Sequence, residues 1–149
     1  MRASTLPDRA TRSILENAGA VASDHRFFHW TLEFPEVFYE NDGRPLDRPG
    51  FDAVLGNPPW EVLRGDRGPS NDSSRLTAFA RESGTYRHQG DGHANLYQLF
   101  TERALTLVKK GGRLGLVLPS GFAVDHGSAA LRRALLDRAA VDTFVNRKP

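Results

Sequence analysis

Hydrophobic positions fall in separate blocks along the chain. Residues 1–26 are polar, and RATRSILENAGAVA within them predicts only a weak helix. Residues 27–38, FFHWTLEFPEVF, are rich in aromatics and interrupted by Pro35, which predicts a strand leading into an irregular segment. YENDGRPLDRPG is dense in turn formers and reads as a loop. FDAVLG, residues 51–56, has the short apolar run of a buried strand and ends on glycine. Residues 61–92 are polar and rich in Gly, Ser and Asp, which predicts a long loop of the functional or mobile kind.

Order returns at HANLYQLFTERALTLVKKGG, where Leu96, Leu99, Phe100, Ala104, Leu107 and Val108 share one helical face. Lys109 and Lys110 fit its last turn, and Gly111 fits a left-handed stop. RLGLVLPSGF predicts a buried strand ending at Pro119, and Asp125 or Ser128 can cap a helix through AALRRALLDRAA. VDTFVN reads as a last strand. Strand, long loop, helix, strand, helix, strand is the order of a parallel α/β sheet with helical crossovers.

At 149 residues, 39% of them hydrophobic, the chain holds one domain or part of a larger one. Without cysteine it has neither disulfides nor thiolate metal sites, which suits a reducing cytoplasm. No apolar run has membrane-span length, so no membrane partner is expected. A net charge of +2 with a pI near 9.3 permits a nucleic-acid partner without requiring one. The polar stretch 61–92 balances five Arg against five Asp plus Glu, so it is no basic patch. The five histidines are scattered without ligand spacing, and no metal is assigned. Glu33 and Glu36 lack a lysine at nuclease spacing and read as surface residues; Ser120 lacks the context of a nucleophile.

Asn57-Pro58-Pro59-Trp60 follows the strand at residues 51–56 directly. By composition such a tetrapeptide occurs in roughly one chain in a thousand of this length. Parallel sheets bind ligands beyond the carboxyl ends of their strands, and this tetrapeptide sits at one such end, Pro119-Ser120-Gly121-Phe122 at another. Proline fixes its own φ and biases its predecessor toward extended backbone. The Asn57 amide oxygen and the Pro58 carbonyl can then converge as two acceptors beside an aromatic ring. That arrangement suits an exocyclic amine on a planar base.

These residues resemble the Asn/Asp-Pro-Pro-aromatic motif of S-adenosylmethionine-dependent amino methyltransferases. GFDAVLGNPPW preceded by HWTLEFPEVF is similar to the N6-adenine DNA methyltransferases of restriction–modification systems. NLYQLFTERALTLVKKGGRLGLVLPSGF resembles the segment after that motif in the Taq-like and type IIG members, and FVNRKP resembles the start of their next stretch. The resemblance covers roughly residues 27–149, with residues 1–26 as a lead-in. It implies the second half of a Rossmann-like methyltransferase sheet with helical crossovers. It also implies that Asn57 and Pro58 bind the target amino group, Pro59 shapes the turn and Trp60 stacks on adenine. The implied cofactor is S-adenosyl-L-methionine, and the implied partner is double-stranded DNA with a flipped adenine.

The family's Gly-rich cofactor loop after the first strand, and the acidic residue after the second, have no counterpart here. GGRLG follows a helix and precedes a strand, the wrong order for such a loop. The remaining methyltransferase half and a target-recognition domain are therefore expected from elsewhere. His29 and Trp30 lie near the family's cofactor–adenine contact, with strand packing as the plainer role. Tyr97 and Phe122 face either substrate or core. The same two acceptors would fit an RNA base or a protein glutamine, and a non-catalytic fragment or subunit is the third alternative.

Overall fold

A computed structural model describes residues 8–25, 28–63, 72–90 and 95–145. Two strands that run parallel, β1 (Phe51–Gly56) and β2 (Val108–Leu116), carry the candidate site. The crossover between them holds α4 (Asp72–Glu82) and α5 (Leu96–Leu107), and α6 (Ala129–Arg138) follows β2. Ahead of β1 lie α1 (Asp8–His25), α2 (Trp30–Glu33) and α3 (Pro35–Phe38). Helices around a small parallel sheet make this a mixed α/β arrangement. A Rossmann-like sheet needs more strands than the described residues supply.

The expectation of a strand over residues 27–38 is corrected: residue 27 lies outside the described residues, and residues 30–33 and 35–38 form the two short helices α2 and α3. Pro35 is the reason. It stands at the first position of α3, where its missing N–H is no loss, and it holds Phe34 outside the helical region at φ −133°. The rings of Trp30, Phe34 and Phe38, four residues apart, then meet Phe51 edge-on at 5.6, 5.5 and 5.8 Å. Aromatic composition suggested a strand; the four-residue spacing is what the packing uses.

The chain enters β1 through Gly50, which has φ 119° and would place a Cβ 2.6 Å from the Leu107 carbonyl oxygen. Only glycine allows this approach between the start of β1 and the end of α5. The register runs Phe51 to Val108, then Ala53 to Arg113, so β2 holds a bulge at residues 109–112. Lys109, Lys110 and Gly111 thus do not end the helix, which stops at Leu107. Gly111 does adopt φ 83°, but within the bulge. Lys109 uses the bulge to pair with the Asp52 carboxylate, and its ammonium holds that carboxyl below the usual range.

The core centres on α5, whose Tyr97, Leu99, Thr101, Ala104, Leu105 and Leu107 are all buried. Leu131 of α6 is fully enclosed, and Leu63 and Ala80 pack on Leu99. Phe100 corrects the expected helical face, since it is 53% exposed. β1 is a strand as expected but not a buried one: Leu55 is 80% exposed, because β2 is its one strand partner among the described residues. The expected loop 61–92 contains α4, with residues 64–71 and 91–94 outside the described set. Residues 141–145 form no strand, and residues 146–149 also lie outside it. No helix of the described residues is long and apolar enough to cross a membrane.

Candidate functional site

Because β1 and β2 are parallel, their carboxyl ends open on the same side. Gly56 is level with Leu116, and the Val117 N–H donates to the Gly56 carbonyl at 3.0 Å. Asn57, Pro58, Pro59 and Trp60 leave β1 here as irregular backbone. Pro58 is buried, whereas Asn57, Pro59 and Trp60 are exposed. A buried ring with a fixed φ anchors the turn while the Asn57 amide stays accessible.

Trp60 ties the two strand ends together. Its indole N–H donates to the Val117 carbonyl at 3.4 Å, and the residue remains 54% exposed. A ring held by its edge and open to solvent is suited to stacking on a planar ligand. Beyond it, the Glu61 carbonyl accepts the Leu96 N–H at 2.9 Å, Val62 bridges Asn95, and Leu63 is buried. The tetrapeptide is therefore fixed at one end by β1 and at the other by the start of α5.

The second strand end continues into 3-10 turns at Ser120–Ala123 and His126–Ser128. Phe122 packs edge-on against Tyr97 with ring centres 6.3 Å apart, and Tyr97 is only 5% exposed. Buried Ser128 shares a hydrogen bond with the Tyr97 hydroxyl at 3.2 Å and accepts from Gln98 Nε2 at 2.8 Å. Of the two expected caps, Ser128 holds the position before α6, yet its hydroxyl serves α5 and makes no cap bond. Tyr97 is thus committed to packing.

His29 and Trp30 stand elsewhere. His29 is exposed just before α2, and Trp30 joins the aromatic cluster on Phe51, at the amino end of β1. At about 3.3 Å per residue, β1 separates that cluster from Asn57 by some 17 Å or more. The structure brings Asn57, Pro58, Pro59 and Trp60 together with Val117, and does not bring His29 or Trp30 to them.

Two features escaped the sequence reading. Glu102 is 4% exposed and accepts the backbone N–H of Arg87 at 2.5 Å and of His88 at 3.2 Å, with Gln89 Nε2 at 2.9 Å. Glu102 falls outside the apolar face predicted from Leu96, Phe100, Ala104 and Leu107, so helical spacing carried no sign of its burial. The second is the Val117 carbonyl, which as a backbone atom leaves no trace in composition. A separate cavity of about 230 Å³ lies among Leu63, Leu76, Phe79, Leu96 and Phe100, with Tyr86 and Arg103 as its polar lining among the described residues. Burial raises the Tyr86 hydroxyl above its ordinary value. Among the described residues no group of three or more His, Asp or Glu is placed to hold a metal ion.

No solved structure matches the chain. A Methanocaldococcus jannaschii protein named "Putative type II restriction enzyme and methyltransferase RM.MjaORFECS2P" is 23% identical over 118 residues. That match covers 79% of this chain and 8% of the relative, so the chain spans a small part of the curated protein it resembles. The profile of the Eco57I restriction-modification methylases matches residues 3–148, nearly the whole sequence. The chain belongs to the Eco57I restriction-modification methylase family.

Proposed function

We propose that this chain supplies the target-base half of a site-specific DNA methyltransferase acting on adenine N6 in a restriction–modification system. The observation that carries the reading is an accessible Asn57, anchored by buried Pro58 and followed by exposed Trp60, at the carboxyl end of β1. Membership of a restriction-modification methylase family supports DNA as the substrate.

Adenine N6 is a poor nucleophile because its lone pair is delocalised into the ring. In this reading the Asn57 amide oxygen and the Pro58 carbonyl accept its two hydrogens. Acceptors arranged for a more tetrahedral nitrogen concentrate the lone pair for attack, an effect of position and charge rather than of a strong base. Trp60 stacks on the base, a contact worth about 1–3 kcal/mol in comparable complexes. The target atom is hidden in a duplex, so the adenine is flipped out of the stack.

The methyl donor implied by the family is S-adenosyl-L-methionine. The described residues do not by themselves form a cradle for it: Trp30 is packed against Phe51, and His29 stands at the far end of β1 from Asn57. No catalytic step is assigned through the cofactor on these residues. The remaining methyltransferase half and the target-recognition domain complete the enzyme in this reading.

The experiment is product analysis. The complete enzyme is incubated with unmodified duplex and methyl-labelled donor, and the digested nucleosides are separated. Label is expected on N6-methyldeoxyadenosine. Label on a cytosine, or transfer only to RNA or to a glutamine peptide, would contradict the proposal. Residues 1–149 alone are expected to bind the donor weakly in calorimetry, and micromolar binding would contradict the division into halves.

A further inference from the structure

We propose that Arg132 is a positioning residue for the base site, acting by holding the turn of residues 119–125 that follows β2. The inference rests on the base-site reading of Asn57 and Trp60. It begins with Val117, which is tied to the end of β1 and to Trp60 through both backbone groups. Its N–H donates to the Gly56 carbonyl, and its carbonyl accepts from the Trp60 indole. Any movement of the chain beyond Val117 is therefore felt by the ring offered to the base.

That chain is folded tightly. The N–H groups of Val124 and Asp125 donate to the Gly121 carbonyl at 3.0 and 2.7 Å, and that of Phe122 to the Pro119 carbonyl at 2.9 Å. A Cβ on Gly121 would lie 2.6 Å from the Asp125 carboxylate, so the turn closes on itself there. The turn is too short to satisfy its own later carbonyls through a continuing helix. Arg132, from the first half of α6, does so: Nη1 donates to the Phe122 carbonyl at 2.8 Å and to the Asp125 carbonyl at 2.6 Å. Charge-assisted bonds of this kind are about twice as strong as neutral ones. The same residue thereby fixes Phe122, whose ring stands edge-on to buried Tyr97. Arg132 touches no substrate; it acts through the turn, Val117 and Trp60.

The test uses the complete enzyme with 2-aminopurine in place of the target adenine. Arg132→Met is expected to slow single-turnover methyl transfer about tenfold and to change the fluorescence of the bound analogue, with donor affinity unaltered. Arg132→Lys, which keeps charged donors on a long stem, is expected to recover most of both. In the full chain, amide exchange at Val124 and Asp125 should quicken in the Met variant. Arg132→Gln takes its place where Arg132→Met does not fold. A folded neutral variant with wild-type rate and fluorescence overturns the proposal while Asn57→Ala is still slowed by orders of magnitude. An Asn57→Ala enzyme that transfers methyl at the wild-type rate overturns the base-site reading itself, and this inference with it.

Discussion

Replacing Asn57 by alanine is expected to slow methyl transfer by about 10²–10³-fold, the usual effect of deleting one group that stabilises charge in a transition state. Asn57 is exposed, and the ring that anchors its turn belongs to buried Pro58. The variant should therefore fold normally, with a stability change within about 0.5 kcal/mol, as for ordinary surface sites. Donor affinity should also hold, because the lost interaction belongs to the chemical step. The combination matters. If Asn57 were only a turn residue, its removal would cost about 1 kcal/mol of stability and leave the rate intact. Parallel measurement of kcat, donor Kd and melting temperature distinguishes the two patterns.

The largest structural effect is expected at Glu102. Its carboxylate is 4% exposed and accepts from two backbone N–H groups and the Gln89 amide. Glu102→Ala leaves all three donors without that acceptor in a largely enclosed place. Each unsatisfied donor costs about 1–3 kcal/mol, and with incomplete additivity the loss is about 3–5 kcal/mol. For a chain of this size that corresponds to a melting temperature lower by about 6–20 °C. Glu102→Gln keeps the shape and one acceptor oxygen, so about half of the loss is expected. Circular dichroism melts check both. A Glu102→Ala protein melting within about 2 °C of wild type would show that another group takes over the three donors.

Much of the framework was legible because it depends on periodicity. α5, α6 and the two strands follow from apolar spacing, and the tetrapeptide at the end of β1 was visible as an improbable string. What was missed depends on tertiary context. Trp30, Phe34 and Phe38 have strand-like composition, yet Trp30 and Phe38 are helical and Phe34 caps between them, because Pro35 starts α3 and all three rings meet Phe51. α4 was hidden by the polarity of its sequence, although Leu76, Phe79 and Ala80 have helical spacing. The two lysines and two glycines after Val108 look like a helix end, but the helix already stops at Leu107, where Val108 turns extended beside Gly50. At the candidate site the tetrapeptide could be picked out from sequence, whereas the bond from Trp60 to the Val117 carbonyl and those of Arg132 could not. Backbone atoms carry no compositional mark, and an arginine on a helix reads as surface until its acceptors are known.

The central claim is that Asn57 receives the amine of the target base. Single-turnover transfer of labelled methyl to duplex DNA tests it most directly, comparing wild type, Asn57→Ala and Asn57→Asp in the complete enzyme. The rates should fall in that set as wild type first, Asn57→Asp second with part of the activity through its remaining acceptor, and Asn57→Ala last by about 10²–10³-fold. An Asn57→Ala enzyme that transfers methyl at the wild-type rate would contradict the mechanism.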